Sequence, residues 1–524
     1  MSDSTASEAA TPLSGKQRVL ALLLAMAMFV LVVDTSFMNV SISAVVRDLD
    51  TTVSGVQSAI ALEALVSAAF ILIGGKVGDL IGRRRAYVIG LLAYAVGASA
   101  MALAQGLTTI IVFWAIVGGI GASLLLPAMQ SLVHGNFHGG DQKRVYALVG
   151  AAAAIAAAVG PLLGGFITTY LSWRIAFVGE VVVIAIVLCG IGLVRDVEYT
   201  GPRGVDPVGA LLSVLGMGGI VLGILVWQEG GEAVGILLVL GAAGLGGLTW
   251  WLTRRRRAGR PTLLDPDLFR SKPFRLGVSQ QLLQQIALGG IMISLPIYLQ
   301  MVLEYDAMEA GLSLAPLSLS MFAVALVAGR RTHTRPPSTL VLIGFGLLTL
   351  GVAVLLPIVP RADFGWGLVV PLVVAGAGLG LLVSQLNDYT LGPMSDERVS
   401  EAAGTNSAAG SFGLSFGLAS AGAILLASLA FGFAREAESS EVLAPAEQQR
   451  VAQVLDDDAQ VMSNTQLTEL LAGQPTDVSD EIIRINTEVR PVALQVALVV
   501  PLAAGVLGTI NSLRMRSRPG RPRS

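Results

Sequence analysis

Long apolar runs alternate with short polar breaks along nearly the whole chain. Fourteen such runs, each near the ~20 residues a helix needs to cross a bilayer, centre close to residues 30, 65, 96, 120, 158, 185, 217, 242, 288, 318, 347, 376, 418 and 503. In lipid only helices or closed barrels satisfy every backbone group, and barrel strands would read as short alternating segments. The runs therefore predict helices. The first, 19–33, follows Lys16 and Arg18 and contains Ala25-Met26-Ala27, features shared with a cleaved signal peptide. Apolar sequence continues past that triplet and many spans follow, so it is read as span one.

Composition agrees. Hydrophobic residues make up 54% of the chain and charged residues 13%, against about 25% charged in soluble domains, and the mean hydropathy is +0.72. The expectation is an all-α integral membrane protein with 14 transmembrane helices, and no nucleic-acid partner. The 61 glycines suit close helix packing, and the lone Cys189 excludes an internal disulfide framework.

Charge sets the orientation. The stretch 74–87, GGKVGDLIGRRRAY, is a basic, glycine-rich elbow between spans two and three. If it is cytoplasmic, most of the 34 Lys and Arg follow it there; Arg47, Arg174, Arg361, Arg435, Arg450, Arg484 and Arg490 fall on the other side. This predicts a multi-pass protein with both termini cytoplasmic. The spans near 217 and 242, flanked by Gly, Pro and Arg, read as an insertion. The expected division is an N-terminal six-span bundle over 1–195, two extra spans with their linkers over 196–265, and a C-terminal six-span bundle over 266–524. The last contains an acidic loop at about 435–489 with Asp456, Asp457 and Asp458. Apolar spacing at Val451, Val454, Leu455, Leu467, Leu470 and Leu471 predicts a small helical cap there. The stretch 329–335 lies where a second, degenerate copy of the elbow would fall if the bundles are repeats.

Three acids stand inside spans: Asp34, Glu63 and Glu180. Charge in a span is costly and marks a functional site by default. No Lys or Arg is expected at comparable depth, and an unpaired carboxylate in low dielectric is disfavoured in its charged form. Such groups exchange protons as their access to water changes. Run boundaries place all three in the outer half of the membrane. Span nine adds Gln280, Gln281, Gln284 and Gln285, read as one polar stripe on a wet cavity, which Gln385, Asn387 and Asp388 could share. In span five, GAAAAIAAAVGPLLGG over 150–165 is small enough for a tight helix seam or, through Pro161, a hinge. Gly118, Gly119 and Gly121 lie inside a span with no strand before them, which excludes a nucleotide loop. No metal cluster or nucleophile constellation is visible, so no enzyme activity, metal or cofactor is expected.

These motifs resemble the major facilitator superfamily, and specifically its fourteen-span drug:proton antiporter branch. The loop 75–84 resembles the superfamily's motif between spans two and three, Gly160-Pro161-Leu162-Leu163-Gly164-Gly165 the core of the span-five antiporter motif, and Asp34-Thr35-Ser36-Phe37-Met38-Asn39-Val40 the span-one motif, with Ser36 in a Thr place. The resemblance implies the major facilitator fold, two six-helix bundles plus two additional central spans. It implies a gate at Gly75, Asp79, Gly82, Arg83 and Arg84, with Asp79 facing a helix N-terminus or a basic partner from the other bundle. The chain departs from the family where a span-four arginine is usual: Trp114 or Ala115 stands there. Glu63 and Glu180 replace the usual span-two aromatic and span-six Asn. Carboxylate chemistry on Asp34 and Glu63 is inferred to take the arginine's part, with Glu180 a further proton-coupling candidate. The resulting expectation is a monomeric, proton-coupled exporter in the plasma membrane for amphipathic organic compounds, cationic ones included, with Asn39, Gln281, Gln284, Gln285 and Gln385 in its substrate cavity. Uptake by symport or uniport is the alternative, and a non-transporting sensor or scaffold using the acidic loop is a third reading. The partners expected are a small-molecule substrate, protons and the lipid bilayer.

Overall fold

The computed structural model describes residues 14–196, 204, 206–228, 231–330, 336–361, 365–394, 396–443, 467–468, 471–472 and 474–516. Fourteen helices are long and apolar enough to span a membrane, and there is no strand among the described residues. They are α1 Gly15–Leu49, α2 Val53–Ile81, α3 Arg83–Leu103, α4 Leu107–Asn136, α5 Gly139–Tyr170, α6 Trp173–Cys189, α7 Pro207–Gln228, α8 Val234–Arg257, α9 Lys272–Met301, α10 Ala307–Arg330, α11 Pro337–Ile358, α12 Val369–Leu391, α13 Asp396–Ser439 and α14 Thr476–Met515. Each of the fourteen apolar runs falls on one of them. Asp456 to Asp458, Val451, Val454, Leu455 and Leu470 of the acidic loop, and residues 331–335 of the second elbow, lie outside the described residues.

Local chemistry sets the boundaries. Ser14 and Gln17 form a reciprocal capping box at the start of α1, and Thr52 caps α2. Gly82 ends α2 at φ +98°, a conformation that glycine adopts without a side-chain clash.

Within the first six helices, α1 packs on α5 and α6, α2 on α4, and α3 on α4 and α6; within the last six, α9 packs on α12, α13 and α14, α11 on α12 and α14, and α10 on α12. The two bundles meet where α2 packs on α13 and α5 on α10. Helices α7 and α8 pack on each other, and α7 also lies against α2 and α13, one helix from each bundle. Alternation of the spans puts both ends of the described chain on the face that carries the elbow, here called the basic face. Cross-bundle hydrogen bonds toward the other end or the middle include Ser43 Oγ to Gln300 Oε1 at 2.5 Å, Met308 N to Thr169 Oγ1 at 3.0 Å and Ser415 Oγ to the Ala61 carbonyl at 2.7 Å.

One boundary differs from the hydropathy reading. Charge counting left Arg484 and Arg490 in a loop, whereas α14 begins at Thr476 and carries both. Ile482, Ile485, Val489 and Ala493 recur at helical spacing and are buried, while Arg484 faces out. The segment is amphipathic and averages as polar in a sliding window. Arg490, expected outside the spans, is buried and donates to the Met301 carbonyl at 2.5 Å. Helix α13 is 44 residues long, about 66 Å at 1.5 Å per residue, so it projects past the hydrocarbon. Leu467 and Leu471 join the core beneath it.

Candidate functional site

The site is built on α1. Asp34 sits 19 residues past Gly15, is 1% exposed, and points between α3 and α4. Its Oδ2 accepts from the Tyr94 hydroxyl of α3 and from Trp114 Nε1 of α4 at 2.9 Å, and Trp114 Nε1 lies 3.1 Å from Oδ1. Both donors are neutral. Trp114 reaches this place because α4 is π-wound over Ile110–Gly118; the wider turn re-registers the face, and such bulges recur at functional sites.

Glu63 of α2 and Glu180 of α6 are also buried, at 9% and 3% exposure. Asp34 lies within electrostatic reach of both, and Tyr94 is within reach of all three carboxyls. Neither oxygen of Glu180 has a hydrogen-bond partner among the described residues. None of the three acids forms an ion pair with Lys or Arg among the described residues. A buried carboxylate without a counter-ion is expensive in its charged form.

The glutamines of α9 do not form one stripe. Gln280 is fully buried and donates to the Gly508 carbonyl at 2.9 Å and Ser512 Oγ at 2.7 Å in α14. Gln281 and Gln285 lie instead against Gly410 and Gly413 of α13. Successive helical residues turn by about 100°, which sends neighbours 280 and 281 to different helices. Gln284 is buried, and its Oε1, like those of Gln285 and Gln385, lacks a partner among the described residues. Gln385 of α12 donates to Ser384 Oγ at 3.0 Å, and Asn406 of α13 donates to Asn387 Oδ1 at 3.0 Å. Asn39, one turn beyond Asp34 on α1, is buried with a partnerless Oδ1.

In the elbow, Arg83 ion-pairs with Asp79 and donates to the Gly75 carbonyl at 3.3 Å. Asp79 thus finds a partner within the elbow, and among the described residues across the bundle interface it feels Glu401 of α13. Sequence reading missed Asp196, just beyond α6. Its Oδ1 accepts from Arg84 N at 3.0 Å, and a side chain at Gly82 would meet its Oδ2 at 2.7 Å. A carboxylate at an otherwise uncapped helix N-terminus is favourable, and α3 has no side-chain cap of its own.

The span-five motif is a seam facing two ways. A Cβ on Gly160 would lie 2.5 Å from Ser36 Cβ, and one on Gly164 2.7 Å from Val40 Cγ2, both in α1. Gly165 instead faces the Ala307 carbonyl, and the Pro161 carbonyl faces Gly311, so this side abuts α10 of the other bundle. The same six residues pack their own bundle and touch the second.

Tyr94 and Trp114 also escaped the sequence reading as members of the site. The available signal was chemical: a phenol or indole buried in a span needs an acceptor.

A family model described as Major Facilitator Superfamily matches residues 24–418. The chain is 26% identical over 407 residues to the probable actinorhodin transporter of Streptomyces coelicolor, covering 75% of this chain and 69% of that one. It is 27% identical over 422 residues to the multidrug export protein EmrB of Escherichia coli K12, covering 77% and 80%. A solved bacterial homologue of the human lysosomal transporter Spinster superposes with a TM-score of 0.62 at 12% identity, covering 97% of this chain and all of that one.

Proposed function

Because the chain belongs to the Major Facilitator Superfamily and is a membrane transporter, we propose that it exports amphipathic organic compounds in exchange for protons by alternating access. The carrying observation is the trio Asp34, Glu63 and Glu180: three buried carboxyls from three helices, within mutual reach of Tyr94 and without a basic partner among the described residues. The names of its relatives, a multidrug export protein and an antibiotic transporter, support export of organic compounds.

In this reading the basic face is cytoplasmic, the membrane is the plasma membrane, and 1–195 rocks against 266–524 with 196–265 inserted between them. Proton and substrate compete for the acidic trio. Tyr94 and Trp114 donate hydrogen bonds that favour the ionised form of Asp34, and that carboxylate is what attracts a cationic substrate. Asn39, Gln281, Gln284, Gln285 and Gln385 face the substrate's polar groups without changing charge. The 160–165 seam closes one end by drawing α5 onto α10, and Gly75, Asp79, Gly82, Arg83 and Arg84 gate the other.

The test is transport in liposomes with an imposed pH gradient. Asp34→Asn and Glu63→Gln are each expected to lower gradient-driven export at least ~10-fold, the equivalent of about 1.4 kcal/mol, while downhill equilibration of substrate persists. Unchanged coupling in both variants overturns the proposal. Reversing the gradient separates exchange from symport, since the two respond with opposite sign.

A further inference from the structure

A second site lies away from the acidic trio. A cavity of about 480 Å³ opens between α13, α14 and the last turn of α7, within the ~300–1,000 Å³ range of small-molecule sites. Its walls are of two kinds. Along the helices they are apolar: Trp227, Ile424, Phe431, Val492 and Val496. At the far end stand Arg435, Glu436 and Glu488, and Arg484 pairs with Glu488 at 2.6 Å.

The direction of opening follows from exposure. Trp227 is 47% exposed, Phe431 69% and Val492 53%, and all three lie on helices that span the membrane. Exposed apolar side chains on three neighbouring spans are what a wall facing hydrocarbon presents, which favours a sideways opening into the bilayer. Trp227, at the end of α7, occupies the level where aromatic residues sit against headgroups. The charged end therefore stands at headgroup height, and the apolar walls run down beside the acyl chains.

We propose that this cavity is a structural site for one bilayer phospholipid whose headgroup is zwitterionic and carries a primary ammonium. The phosphate meets Arg435, the ammonium meets Glu436 and Glu488, and an acyl chain lies along Phe431, Val492 and Val496. Charge complementarity selects the headgroup. A rim with both signs disfavours a purely anionic lipid, and its carboxylates, Glu436 and the Arg484-paired Glu488, favour an ammonium with N–H donors over a trimethylated one, which has none to give. Bound there, the lipid wedges α7 against α13, a helix of the bundle interface. This inference is independent of the proton chemistry at Asp34.

Native mass spectrometry of the full-length protein decides it, after reconstitution in nanodiscs holding equal parts of phosphatidylethanolamine, phosphatidylcholine and phosphatidylglycerol with identical acyl chains. The expected result is one retained lipid with about fivefold or greater preference for phosphatidylethanolamine, the size of a single good charge-assisted contact. Ala427→Trp fills the cavity and is expected to lose the lipid. The double variant Glu436→Gln with Glu488→Gln is expected to retain a lipid and lose the preference. Both acids are at the rim rather than in the core, so this variant decides the matter should Ala427→Trp fail to fold. Equal retention of the three headgroups, a preference for phosphatidylglycerol, an unaffected Ala427→Trp, or displacement of the lipid by stoichiometric tetraphenylphosphonium, which would mark a substrate site, each overturns the proposal.

Discussion

The first bundle buries carboxyls where the second buries amides. Asp34, Glu63 and Glu180 converge from α1, α2 and α6, while Gln280, Gln284 and Gln385 are buried in α9 and α12. Both sets leave acceptor oxygens without partners among the described residues: two on Glu180 and one each on Gln280, Gln284, Gln285 and Gln385. The difference is what a proton does to them. A carboxyl gains or loses a full charge with each proton, whereas an amide is the same at every working pH. On the proposed reading, one half of the molecule registers the proton gradient, and the other offers polarity that does not vary with it. Coupling then needs only one bundle to titrate, provided both touch the substrate.

The sharpest way to break this contrast is Glu180→Gln, which converts a member of the first set into a member of the second. The substitution is close to isosteric and Glu180 has no hydrogen bond among the described residues to lose, so the fold should be retained. Gradient-driven export is expected to fall at least ~10-fold, and its dependence on pH to flatten. Liposome transport across a pH series measures both. Wild-type pH dependence in this variant would remove Glu180 from the titrating set and leave the contrast resting on Asp34 and Glu63.

The fourteen spans were legible because hydrophobic length is a one-dimensional property, and the three acids because charge inside such a run is conspicuous. The 476–490 stretch was not, since its buried Ile482 and Ile485 share a helix with the exposed Arg484, and a window average hides a two-faced helix. Partners across the fold were not legible either. Tyr94 lies 60 residues from Asp34 and Trp114 lies 80 away, and the π-wound turn that aims Trp114 has no sequence signature in Ile110–Gly118. The four glutamines of α9 could not be divided between α13 and α14 without knowing which helix lies on which side.

Trp114→Phe probes the donor set with a smaller expected effect. It removes the indole N–H while keeping an aromatic ring in the packed face of α4. Hydrogen bonds to charged groups are worth about 1.5–3 kcal/mol, and Tyr94 still donates to Asp34. Export is expected to fall several-fold rather than vanish, with the pH of half-maximal rate displaced from wild type. An unchanged pH profile would mean that Trp114 packs against Asp34 without tuning it.

The smallest effect is expected on the amide side, and it is the one that tests whether the contrast is real. Gln284→Leu with Gln285→Leu removes two neutral polar groups whose Oε1 atoms lack partners among the described residues. If they meet substrate, the apparent KM should rise about threefold, roughly one neutral hydrogen bond's worth between the two positions, while the pH profile stays at the wild-type position because no titrating group has been touched. Gln280→Leu is the comparison, since its amide is committed to Gly508 and Ser512 of α14; it should lower the melting temperature and leave KM alone. Should Gln284→Leu with Gln285→Leu shift the pH profile, the two bundles share one proton-sensitive network. Should it behave as Gln280→Leu does, the amides of α9 are glue between helices, and the substrate contacts of the second bundle have to be sought on α12 and α13.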